Sequence, residues 1–70
     1  MEGFEATLVL GATTELEVRN ELTFQPSRYI ILSQTGNGLI TKGSTAWTSN
    51  NMYLYNNGAE EVTILVFFMK

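Results

Sequence analysis

The chain contains no cysteine, no histidine and no aspartate. Without cysteine there is no disulfide, and the redox compartment leaves no mark on the sequence. Without histidine, a nucleophilic triad lacks its commonest base. Glu is left as the sole strong metal ligand, which excludes ordinary zinc sites and argues against calcium sites. Charge is scarce: 16% of residues are charged, against ~25% in typical domains. Two Lys and two Arg stand against seven Glu, for a net charge of −3. That balance offers no basic surface for neutralising phosphates, so a nucleic-acid partner is not expected. The longest apolar run, Val62–Met69, falls far short of the ~20 residues of a membrane helix. The start, MEGFEATLVL, carries Glu where a signal peptide carries Lys or Arg. The expectation is a soluble protein with no targeting segment, no membrane partner and no cofactor.

Seventy residues make a single domain, 1–70. A core of that size rarely supplies more than ~3–5 kcal/mol without a staple. With disulfides and metals set aside, the staple is oligomerisation or docking on a larger body. What fills the polar remainder is Thr, Ser and Asn, and a neutral polar surface costs little to bury in an assembly.

The chain is organised around its last ten residues, EVTILVFFMK. In a strand, side chains alternate between faces. Val62, Ile64, Val66 and Phe68 then share one face, and Thr63, Leu65, Phe67 and Met69 the other. Both faces are apolar, so both require cover. The first face matches the inward sets Leu8/Leu10 and Leu16/Val18 and belongs to the core. Leu65, Phe67 and Met69 are assigned to an interface with a neighbouring chain, because interfaces favour aromatics and Met.

Upstream, Phe4–Leu10 reads as a first strand and Gly11-Ala12-Thr13 as a turn. Thr14–Phe24 alternates strictly, except that Asn20 falls on its apolar face and marks a bulge or a break. Pro26 belongs to an edge or a loop. Arg28–Gln34 and Leu39–Lys42 flank Gly36-Asn37-Gly38, a strong hairpin signal. Thr45–Thr48, carrying Trp47, reads as a short strand, followed by Met52–Asn56 and a turn at Asn56–Glu60. Six or seven short strands without helical periodicity predict an all-β fold: a small antiparallel sandwich or barrel, jelly-roll-like. Five of the seven Glu lie in residues 2–21, whereas residues 22–59 hold no carboxylate. This polarity suits head-to-tail packing, and it is equally that of a solvated acidic face.

No catalytic set emerges. The carboxylate pairs Glu15/Glu17 and Glu60/Glu61 are not set among cleft-forming residues, and glycosidase chemistry needs such a cleft. Gly36–Gly38 lacks the following helix and the Lys-Ser/Thr pair of a phosphate loop. The candidate ligand-binding residues are Trp47, Tyr53 and Tyr55, aromatics beside Asn and Ser that could stack on sugars. Aromatic burial in a core or interface is the competing and commoner outcome. Asn50, Asn51, Asn56 and Asn57 are read as loop formers.

From Pro26 onward the pattern PSRYIILSQTGNGLITKG, then Trp47, then MYLYNNGAEEVTILVFF resembles the short β-modules of tailed-bacteriophage virion proteins. The segment LYNNGAEEVTILVFF is similar to a hairpin frequent in decoration, tail and fibre-base proteins. The resemblance implies a virion structural protein without catalysis. It also implies trimers or higher rings, bound to a larger capsid or tail protein. The alternative from the residues themselves is a lectin-like carbohydrate-binding module.

Overall fold

The computed structural model describes residues 3–70. Glu2, counted above in the acidic N-terminal part, lies outside the described residues. Six strands follow in order: β1 (Gly3–Leu10), β2 (Glu15–Arg19), β3 (Arg28–Thr35), β4 (Ile40–Lys42), β5 (Asn51–Asn56) and β6 (Val62–Met69). They form two antiparallel three-stranded sheets, β1-β6-β3 (sheet A) and β2-β5-β4 (sheet B). The described residues contain no helix, and neither sheet closes on itself.

The doubly apolar β6 is the middle strand of sheet A. It pairs with β1 from Gly3↔Met69 to Leu10↔Val62, and with β3 from Arg28↔Met69 to Thr35↔Thr63. Its β-branched and aromatic residues suit a strand hydrogen-bonded on both sides. The even-numbered face goes inward: Val62, Ile64, Val66 and Phe68 are at most 1% exposed. Sheet B answers with Val18, Ile40, Met52 and Leu54, so both sheets contribute to one buried cluster. Leu10 belongs to that cluster, and Leu8 and Leu16 pack against it half-buried.

Three sequence expectations are corrected. The strand drawn over Thr14–Phe24 stops at Arg19. Asn20 ends it: its Nδ2 donates to the Phe24 and Ser49 carbonyls, and its Oδ1 accepts from the Leu22 N–H. These side-chain bonds offer the backbone an alternative to the ladder. Thr45–Thr48 is not a strand but part of the loop joining β4 to β5. Gly36-Asn37-Gly38 is not a hairpin turn, since β3 lies in sheet A and β4 in sheet B. Gly36 has φ +101°, and a Cβ there would stand 2.7 Å from the Glu61 carbonyl oxygen. Glycine is thus required where this crossing passes the start of β6. Every connection except β4–β5 carries the chain from one sheet to the other. The turn at Asn56–Glu60 does so too, and the segment likened to a hairpin therefore spans two sheets.

Candidate functional site

The two sheets each turn one face away from the common core, and the predicted site residues divide between these faces and the loop before β5. On sheet A the outward row of β6 is Thr63, Leu65 and Phe67, all half-buried. Thr7 and Ser33 flank Leu65; Glu5 and Ile30 flank Phe67. Val9, Ile30 and Leu32 are 52%, 48% and 49% exposed. Leu32 is the extra residue of a β-bulge between Ile31 and Ser33, and such a bulge disturbs the alternation of faces. A Cβ on Gly3 would clash with the Phe68 carbonyl oxygen and stand 2.6 Å from the Phe67 ring, so β1 begins with the residue that fits beside both. Leu65 and Phe67 thus sit at the centre of an outward face on which apolar Val9, Ile30 and Leu32 alternate with polar Glu5, Thr7, Ser33 and Thr63. Met69, the third predicted interface residue, is only 6% exposed within the chain and has the least surface left for a neighbour.

On sheet B the outward residues of β5 are Asn51, Tyr53 and Tyr55, alternating with buried Met52, Leu54 and Asn56. Glu15 stands beside Tyr55, Glu17 beside Tyr53, and Thr41 on the other side of Tyr55. The Tyr53 hydroxyl donates to Glu17 Oε2 at 3.0 Å. That bond, the largest cause, raises the Tyr53 pKa above its ordinary value, because ionisation would face a carboxylate. Glu15 accepts from the Thr45 hydroxyl at 2.8 Å, the Thr45 N–H at 3.2 Å and the Ser44 hydroxyl at 3.4 Å. Chiefly through Thr45, these bonds lower its pKa. A depression of about 470 Å³ lies beside Tyr55, walled by Thr41, Lys42, Gly43, Ser44 and Asn57.

Trp47 does not join the tyrosines. It lies in the β4–β5 loop and packs edge-on against Phe68 at 5.8 Å, with Tyr29 at 6.1 Å. Its indole N–H donates to the Tyr53 carbonyl at 2.7 Å, and Lys42 Nζ stands 4.6 Å from the ring centroid. Trp47 therefore covers the Phe68 end of the core, on the opposite side of sheet B from Tyr53 and Tyr55. The structure brings the two tyrosines together and separates the tryptophan from them.

The carboxylates do not converge. Among the described residues no group of three or more His, Cys, Asp or Glu could hold a metal ion. Glu60 Oε1 accepts from the Asn37 N–H at 2.6 Å, tying two crossing loops, while Glu61 is exposed. Three cationic residues gather near the start of β3: Arg28 Nε donates to the Lys70 carbonyl, and Lys42 Nζ to the Ser27 carbonyl.

Sequence reasoning missed two groups. Ile30 and Leu32 belong to the predicted strand Arg28–Gln34; Ile30 shares parity with charged Arg28, the signal that it faces outward, whereas the bulge at Leu32 breaks the alternation, so that Ser33 stands beside outward Leu65 and Gln34 beside inward Ile64. Asn56 was read as a loop former, yet it is 0% exposed. Its Nδ2 donates to the Leu10, Gly11 and Glu60 carbonyls, and its Oδ1 accepts from the Gly58 N–H. Comparison with protein-family models, with curated proteins and with solved structures finds no match to this chain.

Proposed function

We propose that this chain is a non-enzymatic structural protein of a phage particle: a two-layer β-sandwich that self-associates and docks on a larger virion protein. The observation that carries the self-association is the outward face of sheet A. Leu65 and Phe67 at its centre, with exposed Val9, Ile30 and Leu32 on the same sheet, put several apolar side chains on one face among polar Glu5, Thr7 and Ser33. Apolar side chains gathered on one exposed face support an interaction site there. The placement in a phage particle rests on the resemblance of residues 26–68 alone.

Phe67→Ser tests the assembly. The side chain points away from the core, so the variant keeps its sheet signal in circular dichroism and loses assembly in sedimentation. Unchanged assembly of Phe67→Ser overturns the use of this face. The virion placement is tested separately, by mass spectrometry of purified particles from the source of the gene. Recovery in fixed copy number with the particle supports it, and confinement to the soluble fraction counts against it.

A second reading, the carbohydrate-binding module, is favoured by Tyr53 and Tyr55 standing side by side next to the depression on sheet B. It must do without Trp47. Its polar groups are largely satisfied within the chain, Tyr53 by Glu17 and Glu15 by Thr45, which leaves fewer of them for a sugar. Binding to a glycan panel, abolished by Tyr55→Ala, would bring this reading forward.

A further inference from the structure

We propose that the free edge of β1 is a docking site for an extended segment of a partner protein, which adds to sheet A as a further strand. The segment carries apolar residues at alternate positions and a Lys or Arg opposite Glu5. The inference extends the docking part of the reading above and is independent of the outward face and of the virion placement.

The edge strands are β1 and β3 in sheet A and β2 and β4 in sheet B. Proteins blunt such edges by shortness, charge, bulges or cover. β4 is three residues long and ends on Lys42, and β2 is five residues long with Glu15, Glu17 and Arg19. β3 begins on Arg28 and is bulged between Ile31 and Ser33. β1 is neither short nor bulged. It is eight residues long, GFEATLVL, with Glu5 as its single charge, and it pairs with β6 without a register shift.

The aim of its backbone groups follows from β6. The Ser27 N–H donates to the Met69 carbonyl, so Met69 turns its peptide groups toward β3. Along an antiparallel strand that direction alternates, so Val62, Ile64, Val66 and Phe68 turn theirs toward β1. The Phe68 carbonyl oxygen is indeed the first atom that a Cβ on Gly3 would meet. The partners Phe4, Ala6, Leu8 and Leu10 therefore use their N–H and C=O groups on β6. Gly3, Glu5, Thr7 and Val9 aim theirs at the free edge, and no loop backbone among the described residues bonds to them.

The core is also incomplete along this edge. Phe4, Ala6 and Leu8 face it but are only partly buried, whereas their partners Phe68, Val66 and Ile64 are at most 1% exposed. The β3–β4 side is tied instead: the Tyr29 hydroxyl donates to the Ile40 carbonyl, Lys42 Nζ donates to the Ser27 carbonyl, and Trp47 packs on Tyr29. An added strand supplies the missing ladder at β1 and covers the open flanks of Phe4, Ala6 and Leu8 with its own alternate side chains. Charge selects the occupant. Glu5 faces outward and favours a cation directly opposite. A second copy offers none on a level ladder of this length: its β1 holds no Lys or Arg, its β3 is bulged, and its β2 and β4 are short.

The test uses the full chain and an antiparallel eight-residue peptide. The peptide has Val facing Phe4, Ala6, Leu8 and Leu10, Thr facing Gly3, Thr7 and Val9, and Lys facing Glu5. In the chain alone the amides of Glu5, Thr7 and Val9 should exchange hydrogen fast and those of Ala6 and Leu8 slowly. With a dissociation constant of ~100 μM, peptide at ~1 mM leaves about one edge in ten open, so the three fast amides slow ~10-fold. N-methylation of the peptide amide opposite Thr7 should abolish this, whereas N-methylation of a Val amide, which points away from β1, should not. Thr7→Pro removes an N–H that β6 does not use, so circular dichroism keeps its sheet signal and peptide affinity falls at least ~10-fold. Glu5→Lys weakens binding about threefold or more. Exchange unchanged by the peptide, or equal binding of the two N-methylated peptides to the wild-type chain, overturns the proposal whatever Thr7→Pro does to the fold. Unchanged binding to Glu5→Lys overturns the charge assignment. Amides of Glu5, Thr7 and Val9 that are slow in the chain alone and speed up on dilution would put a second copy at this edge and overturn the partner strand. None of these results bears on self-association through Phe67, which the sedimentation of Phe67→Ser reads separately.

Discussion

Asn56 and Glu15 show what single polar residues contribute here. Asn56 is buried at the end of β5 and holds the β1–β2 and β5–β6 crossings through the Gly11, Glu60 and Gly58 backbones. Among the described residues the non-glycine positive φ belongs to Thr13, so the asparagines serve as hydrogen-bond partners, not as left-handed turn formers. Asn56→Leu keeps the volume and orphans the groups that the amide serves. An unpaired buried group costs about 1–3 kcal/mol, a large share of the ~3–5 kcal/mol available to a core of this size. A urea titration checks this against Asn57→Ala, whose exposed side chain should cost no more than ~0.5–1 kcal/mol; equal midpoints for the two would remove the clamp. Glu15 gives a pH signature. Its folded pKa is depressed, so over the window between its folded and unfolded values the unfolded chain binds the extra proton. Its contribution is present above the ordinary glutamate value of ~4.3 and is lost as pH falls through the lower folded value. The wild-type melting temperature should therefore converge on that of Glu15→Gln on acidification, and a gap that stays constant from neutral to acid pH would show that Thr45 does not select the carboxylate.

At the scale of elements, legibility followed periodicity. β6 was readable because its even face is uniformly apolar and unbroken for eight residues, and the expected core set Val62, Ile64, Val66 and Phe68 is the buried one. β1 was readable for the same reason, through Phe4, Ala6, Leu8 and Leu10 on its even face. What periodicity does not encode is which sheet a strand joins. Gly36–Gly38 has the composition of a hairpin, but a tight turn and a crossing between sheets use the same residues, because both need positive φ or close backbone approach. Thr45–Thr48 resembled a strand through a single large aromatic, yet Trp47 is held by contacts distant in sequence, on Phe68 and Tyr29. The outward face of sheet A was legible at Leu65 and Phe67 and not at Leu32, since a bulge shifts the register without changing composition. Phe68 tests the element directly. It is fully buried, with Phe4 at 5.3 Å and Trp47 at 5.8 Å, and truncating such a residue costs about 3–5 kcal/mol. Phe68→Ala should abolish the cooperative melt, whereas a folded but dissociated Phe68→Ala would show that the two faces of β6 had been exchanged.

For the whole molecule the question is whether one chain is enough. Its accessible surface, 4236 Å², is close to the ~4,400 Å² expected of a compact monomer of this mass. The protomer is therefore not an extended fragment that needs a partner to become compact. What distinguishes it is the composition of that surface, with Val9, Ile30, Leu32 and Leu39 each about half exposed or more. Apolar area removed from water contributes ~25 cal/mol per Å², so covering even part of sheet A's outward face adds a term comparable to the protomer's own margin of ~3–5 kcal/mol. Self-association through this face, as proposed, would link folding to association by mass action and make stability dependent on concentration. If the chain self-associates as proposed, in twos or threes, a tenfold rise in concentration stabilises each chain by half to two-thirds of ~1.4 kcal/mol, about 0.7–0.9 kcal/mol. In a domain of this length that corresponds to a melting temperature higher by roughly 3–7 °C per decade. Calorimetric scans of the wild-type chain across two decades of micromolar concentration should show this slope, and Phe67→Ser should flatten it. A wild-type transition that stays at one temperature across that range would mean that the outward face of sheet A adds nothing to the stability of the fold.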